Sequence, residues 1–336
     1  MEWASDAEAL VRHRQYDTLI CTQFIQVVQN HVSTAYITHP DCLRHDIGGD
    51  HPESPARLTA IEQKIQATGM NARLVYFEAP LVSIEQLARV HDADYLVTIE
   101  RSAPQSGIRM LDPDTAMNPY TLAAARRAAG AAVFATDLVI QGKAQNAFCA
   151  VRPPGHHAMR GRAMGFCVFN NVAVAAAHAL EQYGLQRVAV ADFDVHHGNG
   201  TEDIFQHDER VLMASVFQHP FYPGSGIEGR SERMVNIPLA AGSGSIQFRA
   251  AVEQYWLPAF ERFQPEMLFI SAGFDAHGDD DIAQLHLRED DYFWVTQQLK
   301  GVADRYAKSR IVAVLEGGYD LPALGRSVVT HLDALA

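Results

Sequence analysis

A short run of aspartate and histidine carries the strongest chemical signal in this sequence. Residues 192 to 200 read Asp-Phe-Asp-Val-His-His-Gly-Asn-Gly and directly follow an apolar stretch. On an extended segment, residues two positions apart point to the same side, so Asp194 and His196 can face one point together. With Asp275 arriving from a neighbouring strand, two carboxylates and one imidazole form a metal site that suits Zn²⁺, while Fe²⁺ or Co²⁺ also fit.

The alternative interpretation of these residues is structural. An isolated Asp-x-Asp pattern would more often cap a helix or line a polar loop than bind a metal. Here, however, a His-His pair at His156 and His157, a third aspartate at Asp275 and the motif Glu316-Gly-Gly-Tyr319 also follow apolar runs. Because four such loops carry reactive residue types, we favour one composite active site.

This metal set predicts that catalysis needs a separate base. Two aspartate ligands cancel the charge of a divalent ion, so the bound water is less acidified than in a site with three neutral histidines. His156 and His157 are the candidates for the base, because histidine titrates near neutral pH.

Alternating apolar and helical segments predict how these residues are positioned. The predicted strands are Ala147–Val151, Val188–Ala191, Val211–Val216, Met267–Ala272 and Ile311–Leu315, and the predicted helices are Asn170–Tyr183, Ile246–Phe263 and Asp290–Lys308. Strands that alternate with helices favour an α/β fold, a doubly wound parallel sheet covered on both faces, in one domain. Ligands bind at the carboxyl ends of such strands, which is where the unusual loops lie.

Composition excludes several classes of protein. The 336 residues carry 27 basic and 40 acidic side chains, a formal net charge of −13, which disfavours nucleic-acid or anionic-membrane partners. The four cysteines are widely spaced without a CxxC pair, as expected for thiols in a reducing compartment. We interpret the apolar stretch Thr18–Val28 as a helix or strand rather than a signal peptide, and expect a cytoplasmic protein.

Together these motifs resemble a known family, the zinc-dependent histone deacetylase and acetylpolyamine amidohydrolase superfamily, which shares its fold with arginase. The motifs that carry the resemblance are His-Pro-Glu-Ser-Pro-Ala-Arg57-Leu, Val90-His-Asp-Ala-Asp-Tyr95, Arg-Pro-Pro-Gly-His156-His157, Gly165-Phe166-Cys167, Asp192 to Gly200, Phe221-Tyr222-Pro223-Gly224, Ser271 to Asp275 and Glu316-Gly-Gly-Tyr319. The resemblance implies a three-layer α/β/α catalytic domain at 35–336, similar to class II and bacterial members. Residues 1–34 are an extension, expected to pack on the body of the protein or on a second subunit of a homo-oligomer.

The resemblance also implies roles for individual residues. Asp194, His196 and Asp275 are the implied zinc ligands. His157 is the implied general base and then acid, hydrogen-bonded to Asn199, and His156 is its electrostatic partner, hydrogen-bonded to Asp192. A neutral Asn199 raises the pKa of His157 less than a carboxylate would. Tyr319 is the implied donor to the developing oxyanion.

A substrate tunnel and two potassium sites follow from the same resemblance. The rings of Phe166, after Gly165, and Tyr222 flank the implied tunnel, Ile282 stands at its gate, and Asp114, with Asp112 as a competitor, grips the substrate backbone at the rim. The implied potassium ligands are Asp192, Asp194, His196, Ser215 and Val216 at one site and Phe205, Asp208 and Val211 at another.

The sequence departs from the family pattern after the third metal ligand. Relatives usually have Gly-Asp-Pro followed by Leu, Met or Glu, whereas this chain has Asp279-Asp280-Asp281-Ile282. Polyamine-specific relatives place a carboxylate at the gate, so Ile282 favours an acetyl-lysine peptide or protein as substrate over an acetylpolyamine. Two further alternatives are an arginase-like binuclear hydrolase and an acyl-lysine reader without catalysis.

Overall fold

A parallel sheet, built from short and mostly apolar segments, forms the centre of the structure. The computed structural model describes residues 34–49, 51–228 and 231–336. The strands of the main sheet are β1 (Thr34–Thr38), β2 (Leu74–Glu78), β5 (Asn146–Cys149), β6 (Val188–Asp192), β7 (Val211–Gln218), β8 (Met234–Leu239), β9 (Met267–Ala272) and β10 (Ile311–Leu315), and β3 (Arg109–Met110) and β4 (Ala116–Met117) form a separate antiparallel pair. The main sheet has the order β2-β1-β5-β10-β9-β6-β7-β8, and every neighbouring pair is parallel.

The central strands are buried along their whole length. Every residue of β5, β6, β9 and β10 is buried, without the alternation of a strand that has one solvated face. Helices therefore cover both faces of the sheet, as the fold class predicted from the sequence requires.

The helices begin and end at recognisable signals. Their bounds are α1 Asp41–Arg44, α2 Ala56–Thr68, α3 Ile84–Leu87, α4 Ala93–Ser102, α5 Thr121–Ile140, α6 Asn171–Tyr183, α7 Asn199–Phe205, α8 Ser245–Ala251, α9 Leu257–Phe263, α10 Glu289–Tyr306 and α11 Leu321–Leu335, with a 3₁₀ turn at Met70–Arg73. The Asn170 side chain caps α6 by accepting from the Ala173 N–H, and Gly184 ends it in the left-handed conformation.

The predicted elements are confirmed with small shifts. The strand expected at Ala147–Val151 lies at Asn146–Cys149, and the helix expected at Asp290–Lys308 spans Glu289–Tyr306. The single helix expected at Ile246–Phe263 is divided by a π-helical turn at Val252–Trp256.

The loops that the sequence analysis identified lie together at the carboxyl-terminal end of the sheet. β5, β10, β9 and β6 are consecutive neighbours, so the loops that follow their carboxyl ends meet. Within the described ranges, no helix combines the length and apolarity needed to cross a bilayer. The expected N-terminal extension and the element at Thr18–Val28 lie outside the described residues, except that Thr34 begins β1.

Candidate active site

The predicted metal ligands converge in a buried cluster. One potential ligand atom from each of Asp194, His196 and Asp275 lies within 4.8 Å of the others. His196 Nδ1 lies 2.9 Å from Asp194 Oδ1 and 3.3 Å from Asp275 Oδ2. The local geometry differs from the extended segment that the spacing suggested, because β6 ends at Asp192 and the chain then bends. The backbone N–H of His196 donates to Asp194 Oδ1 across that bend.

The cluster has the properties of a cation site. Asp275 Oδ2 is buried without a hydrogen-bond partner, and burial, with the nearby Asp194 carboxylate, raises the pKa of Asp275 to about 6. A divalent cation would compensate the carboxylates for their lost hydration and would reduce the repulsion between them. Gly317 also leaves space beside the cluster because it has no side chain. A Cβ atom at this position would lie 1.9 Å from Asp275 Oδ2. The three residues therefore fit a metal ion of the zinc type.

Two adjacent histidines next to this cluster have opposite environments. His156 Nδ1 donates to the buried Asp192 carboxylate at 3.0 Å, whereas His157 Nδ1 donates to the Asn199 amide oxygen at 2.7 Å. Burial opposes a charge on His156, but the carboxylates of Asp194 and Asp192 outweigh it and raise the pKa of His156 well above the usual value. Burial, together with the positive charges of His156 and His196, lowers the pKa of His157 well below the usual value.

These environments divide the pair into a cation and a neutral base. The two rings lie 4.0 Å apart, so the charge on one disfavours a charge on the other. The Nδ1–H of His157 is directed at Asn199, which leaves Nε2 as an acceptor for a proton. The amide of Asn199 is oriented in turn by a contact of 3.3 Å from Nδ2 to the sulfur of Met164.

Tyr319 lies on the loop between β10 and α11. The guanidinium of Arg57 lies 4.9 Å from the centre of the Tyr319 ring, and its Nε donates to the Gly318 carbonyl at 2.6 Å. Burial raises the pKa of Tyr319 well above the usual value, against the opposing effect of Arg57. The hydroxyl thus stays protonated and can donate a hydrogen bond.

A narrow cavity of about 210 Å³ leads from the surface to the histidines of the site and to Tyr319. Its lining includes the predicted tunnel and catalytic residues Asp114, Gly165, Phe166, Tyr222, Ile282, His156, His157, His196 and Tyr319. A wider groove of about 550 Å³ lies between α2 and α11, but its lining has neither a histidine nor a carboxylate. Size alone therefore does not identify the site.

The walls of the cavity are aromatic. The Tyr222 ring stands edge-on to His157 with centroids 5.1 Å apart, and Phe221 stacks on His196 at 5.3 Å. Phe166 has a φ of 66°, in the left-handed region that a bulky residue seldom adopts. Its N–H donates to the Thr115 hydroxyl, which helps to fix this conformation.

The two candidate rim aspartates are separated by their contacts. Asp114 lines the cavity, and its Oδ1 accepts the N–H of Gly165 at 2.9 Å. Asp112 instead accepts two hydrogen bonds from the Arg162 guanidinium, at 2.6 and 3.0 Å, and does not line the cavity. The geometry favours Asp114 over Asp112.

Comparison with known proteins decides the family. Residues 51–335 match the histone deacetylase domain. The chain belongs to the histone deacetylase family. It is 38% identical over 314 residues to the histone deacetylase-like amidohydrolase of Pseudomonas aeruginosa, covering 88% of this chain and 82% of that protein. It is 36% identical over 325 residues to the polyamine deacetylase HDAC10 of Mus musculus, covering 90% of this chain and 48% of that protein. The crystal structure of the HDA15 HD domain superposes with a TM-score of 0.85 at 32% identity, covering 90% of this chain and 88% of that chain.

This histone deacetylase family member is therefore a deacetylase, with the parallel α/β fold of the family. The family is generally metal-dependent, in accord with the buried Asp-His-Asp cluster. The arginase-like alternative gains no support from the structure, because the described residues form only one such group of potential ligands.

The deacetylase also contains buried acids that the sequence motifs did not assign. Glu316 Oε2 accepts the N–H groups of Gly155 and His156, and burial raises the pKa of Glu316 to about 7. Glu53 accepts hydrogen bonds from Arg152 and Arg57 and lies 3.2 Å from His45 Nε2. Burial disfavours the carboxylate of Glu53, but Arg152 outweighs it and holds the pKa well below the usual value. For Glu316, the signal available in the sequence was its position directly after the apolar strand β10.

The first expected potassium site shares Asp194 and His196 with the Asp-His-Asp cluster of the deacetylase. Asp192 and Ser215 are register partners in β6 and β7, and the buried Ser215 Oγ has no hydrogen-bond partner. At the second site, the Phe205 and Asp208 carbonyls accept turn hydrogen bonds from Asp208 and Val211, and the Asp208 carboxylate pairs with Arg210.

Proposed function

We propose that this deacetylase hydrolyses the amide of N-acetyl-lysine-type substrates, using a divalent ion held by Asp194, His196 and Asp275. The observation that carries the proposal is the pair of histidines next to those ligands, of which His156 is hydrogen-bonded to a carboxylate and His157 to an amide oxygen. A metal ion such as Zn²⁺, when bound there, supplies a Lewis acid that polarises the amide carbonyl and acidifies water. Fe²⁺ or Co²⁺ would supply the same chemistry.

The proton is moved by His157. Its Nε2 accepts a proton from the attacking water as the C–O bond forms, and the Asn199 oxygen holds Nδ1–H throughout. The imidazolium then donates this proton to the leaving amine nitrogen as the C–N bond breaks. His156, held as a cation by Asp192, disfavours a second positive charge on His157 and returns it to the neutral base.

The developing oxyanion receives a hydrogen bond from Tyr319. Its hydroxyl stays protonated near neutral pH, and its ring lies in the cavity with His157 and His196. A donor fixed before the reaction stabilises charge that develops only in the transition state.

The narrow tunnel supports a substrate that presents an acylated aminoalkyl chain. Phe166 and Tyr222 supply apolar walls for the methylene stem, and Ile282 lines the cavity where a second ammonium group of a polyamine would lie. That ammonium would lose hydration without gaining a partner at Ile282. Asp279 is paired with Arg288 and Arg326, and Asp280 is buried, so neither is free to bind a substrate cation.

An acetylpolyamine remains the second candidate because of one residue. Asp281, next to Ile282 in the chain, is exposed to solvent, so its carboxylate is available to a distal substrate cation. The mouse relative named a polyamine deacetylase shows that this family includes such specificity.

The test compares kcat/KM for an acetyl-lysine peptide, N-acetylputrescine and N8-acetylspermidine. We expect the peptide to be preferred, and Ile282→Glu to raise the values for polyamines relative to the peptide. Ile282→Gln is the matched control, because it has nearly the same shape as Glu without the charge. A tenfold preference of the unaltered protein for polyamines would overturn the proposed substrate.

We further propose potassium at two structural sites. Asp192, Asp194, His196, Ser215 and Val216 would form the first, supported by the unpartnered Ser215 hydroxyl, and Phe205, Asp208 and Val211 would contribute to the second. The thermal midpoint in KCl against NaCl at equal ionic strength tests this, and equal midpoints would speak against it.

A further inference from the structure

Three consecutive aspartates follow the third metal ligand, and the structure gives each a different environment. Asp279 pairs with Arg288 at 2.7 Å and Arg326 at 2.9 Å. Asp281 is exposed to solvent. Asp280 is only 6% exposed, and none of the arginines or lysines in the described residues forms an ion pair with it.

Backbone N–H groups from two different loops satisfy the Asp280 carboxylate. Oδ2 accepts the N–H of Tyr319 at 2.6 Å and that of Asp320 at 3.1 Å, while Oδ1 accepts the N–H of Ile282 at 3.1 Å. A buried carboxylate without a cation is costly unless its oxygens are hydrogen-bonded, so this arrangement constrains both loops strongly.

The loop that carries Tyr319 needs such a constraint. Two glycines precede Tyr319, and Gly318 has a φ of 121°. Because glycine has no Cβ and adopts many backbone conformations, the Gly-Gly segment does not by itself fix the position of Tyr319. Arg57 fixes the carbonyl of Gly318 from one side. The Asp280 carboxylate fixes the N–H of Tyr319 from the other side. The N–H of Asp280 itself donates to the carbonyl of His277, in the loop after Asp275.

We propose that Asp280 is a positioning residue that sets the location of the Tyr319 hydroxyl relative to the metal ligands and the gate. In this role Asp280 acts through the backbone N–H of Tyr319 and not directly on the substrate or the metal. This inference rests on the proposed role of Tyr319 as the oxyanion donor. One carboxylate thereby links the group that stabilises the transition state to Ile282, the residue at the tunnel gate.

The first test is Asp280→Asn. An amide has one oxygen, so it cannot accept from Ile282 on one side and from Tyr319 and Asp320 on the other. We expect kcat for an acetyl-lysine peptide to fall about 10- to 100-fold, the scale of a small misplacement of a reacting group, with metal content and fold retained. Asp279→Asn is the matched control in the same loop, and we expect it to leave kcat unchanged.

A double-mutant cycle with Tyr319→Phe separates positioning from a general structural effect. If Asp280 acts through the hydroxyl, Asp280→Asn lowers kcat in the unaltered protein but not in the Tyr319→Phe background. An equal loss in both backgrounds would overturn the inference and leave the role of Tyr319 intact. A Tyr319→Phe variant with normal turnover would instead overturn the proposed role of Tyr319, and the inference with it.

A second variant covers the case in which Asp280→Asn does not fold. Asp280→Glu keeps the charge and both oxygens but lengthens the side chain by one methylene, so the Tyr319 backbone must shift to stay bonded. The same dependence on Tyr319 is expected for its kcat. A turnover number equal to that of the unaltered protein would contradict the inference.

Discussion

Replacing Gly317 by alanine should remove the metal without altering the fold. Gly317 follows Glu316 on the loop after β10, and its N–H donates to Asp194 Oδ2 at 2.8 Å. A Cβ atom at this position would lie 1.9 Å from Asp275 Oδ2 and 2.6 Å from Asp194 Oδ2. Its φ is outside the left-handed region, so alanine suits the backbone, and the three closest contacts of the added Cβ are all with Asp275 and Asp194.

The size of the effect follows from these distances. Asp275 Oδ2 must move by roughly 1.1 Å before the contact reaches even 3.0 Å, the shortest that real Cβ atoms show. Zinc–oxygen distances of about 2.0–2.2 Å tolerate deviations of only about 0.2 Å, so Asp275 can no longer serve as a ligand. Losing a group that merely orients a ligand costs about 10- to 100-fold in affinity, and losing the ligand itself should cost more.

The assay is metal content by elemental analysis after dialysis against a buffered zinc concentration, followed by turnover. We expect Gly317→Ala to be depleted of zinc and inactive, and an excess of zinc to restore part of the activity. Gly301→Ala is the control, because its Cβ would meet nothing within 4 Å. Zinc affinity and turnover equal to those of the unaltered protein would refute the assignment of Asp194 and Asp275 as ligands.

Three further predictions concern the acid–base groups and the core. Tyr319→Phe should keep its metal while kcat falls about 10²–10³-fold, and unchanged kinetics would show that the phenol is not the oxyanion donor. Asn199→Asp should raise the pKa of His157, so the acidic limb of the kcat/KM profile moves to higher pH; an unmoved limb would count against His157 as the base. Glu53→Gln should lower the free energy of unfolding by about 3–5 kcal/mol at pH 7, because it leaves the buried Arg152 and Arg57 without a counter-charge. Since the pKa of Glu53 is depressed in the folded protein, its stabilisation is complete above the carboxyl's ordinary pKa and is lost as the pH falls toward the folded value. Denaturant unfolding should therefore show the difference shrinking in acid, and a constant difference would contradict this account.

The sequence predicted the central strands of the fold and the convergence of the loops that follow them. The apolar runs at Val188–Ala191, Met267–Ala272 and Ile311–Leu315 have no polar alternation, so they predicted buried parallel strands, and reactive residues directly after them predicted a shared site. The strands β1, β2 and β8 were not predicted. β2 and β8 lie at the edges of the sheet, and several of their residues are half-buried or exposed, so their pattern is weaker.

Other features depend on contacts that spacing does not encode. Asp279, Asp280 and Asp281 are chemically identical in the sequence, yet one forms ion pairs, one is buried on backbone N–H groups and one is exposed. Their environments are decided by Arg288, Arg326 and the loop of Tyr319, which come later in the chain. For the same reason the sequence left Asp112 and Asp114 unresolved, because the Arg162 contact of Asp112 and the Gly165 contact of Asp114 distinguish them.

The ligand set has a consequence for how the protein matures. Asp194, Asp275 and the Gly317 N–H that holds Asp194 come from loops after three different strands, and 123 positions separate Asp194 from Gly317. Because the proposed ligands are complete only when these three loops meet, high-affinity metal capture would have to wait until β6, β9 and β10 have paired. A nascent chain on the ribosome would therefore bind the proposed metal only after the residues as far as Gly317 have emerged and the sheet has assembled.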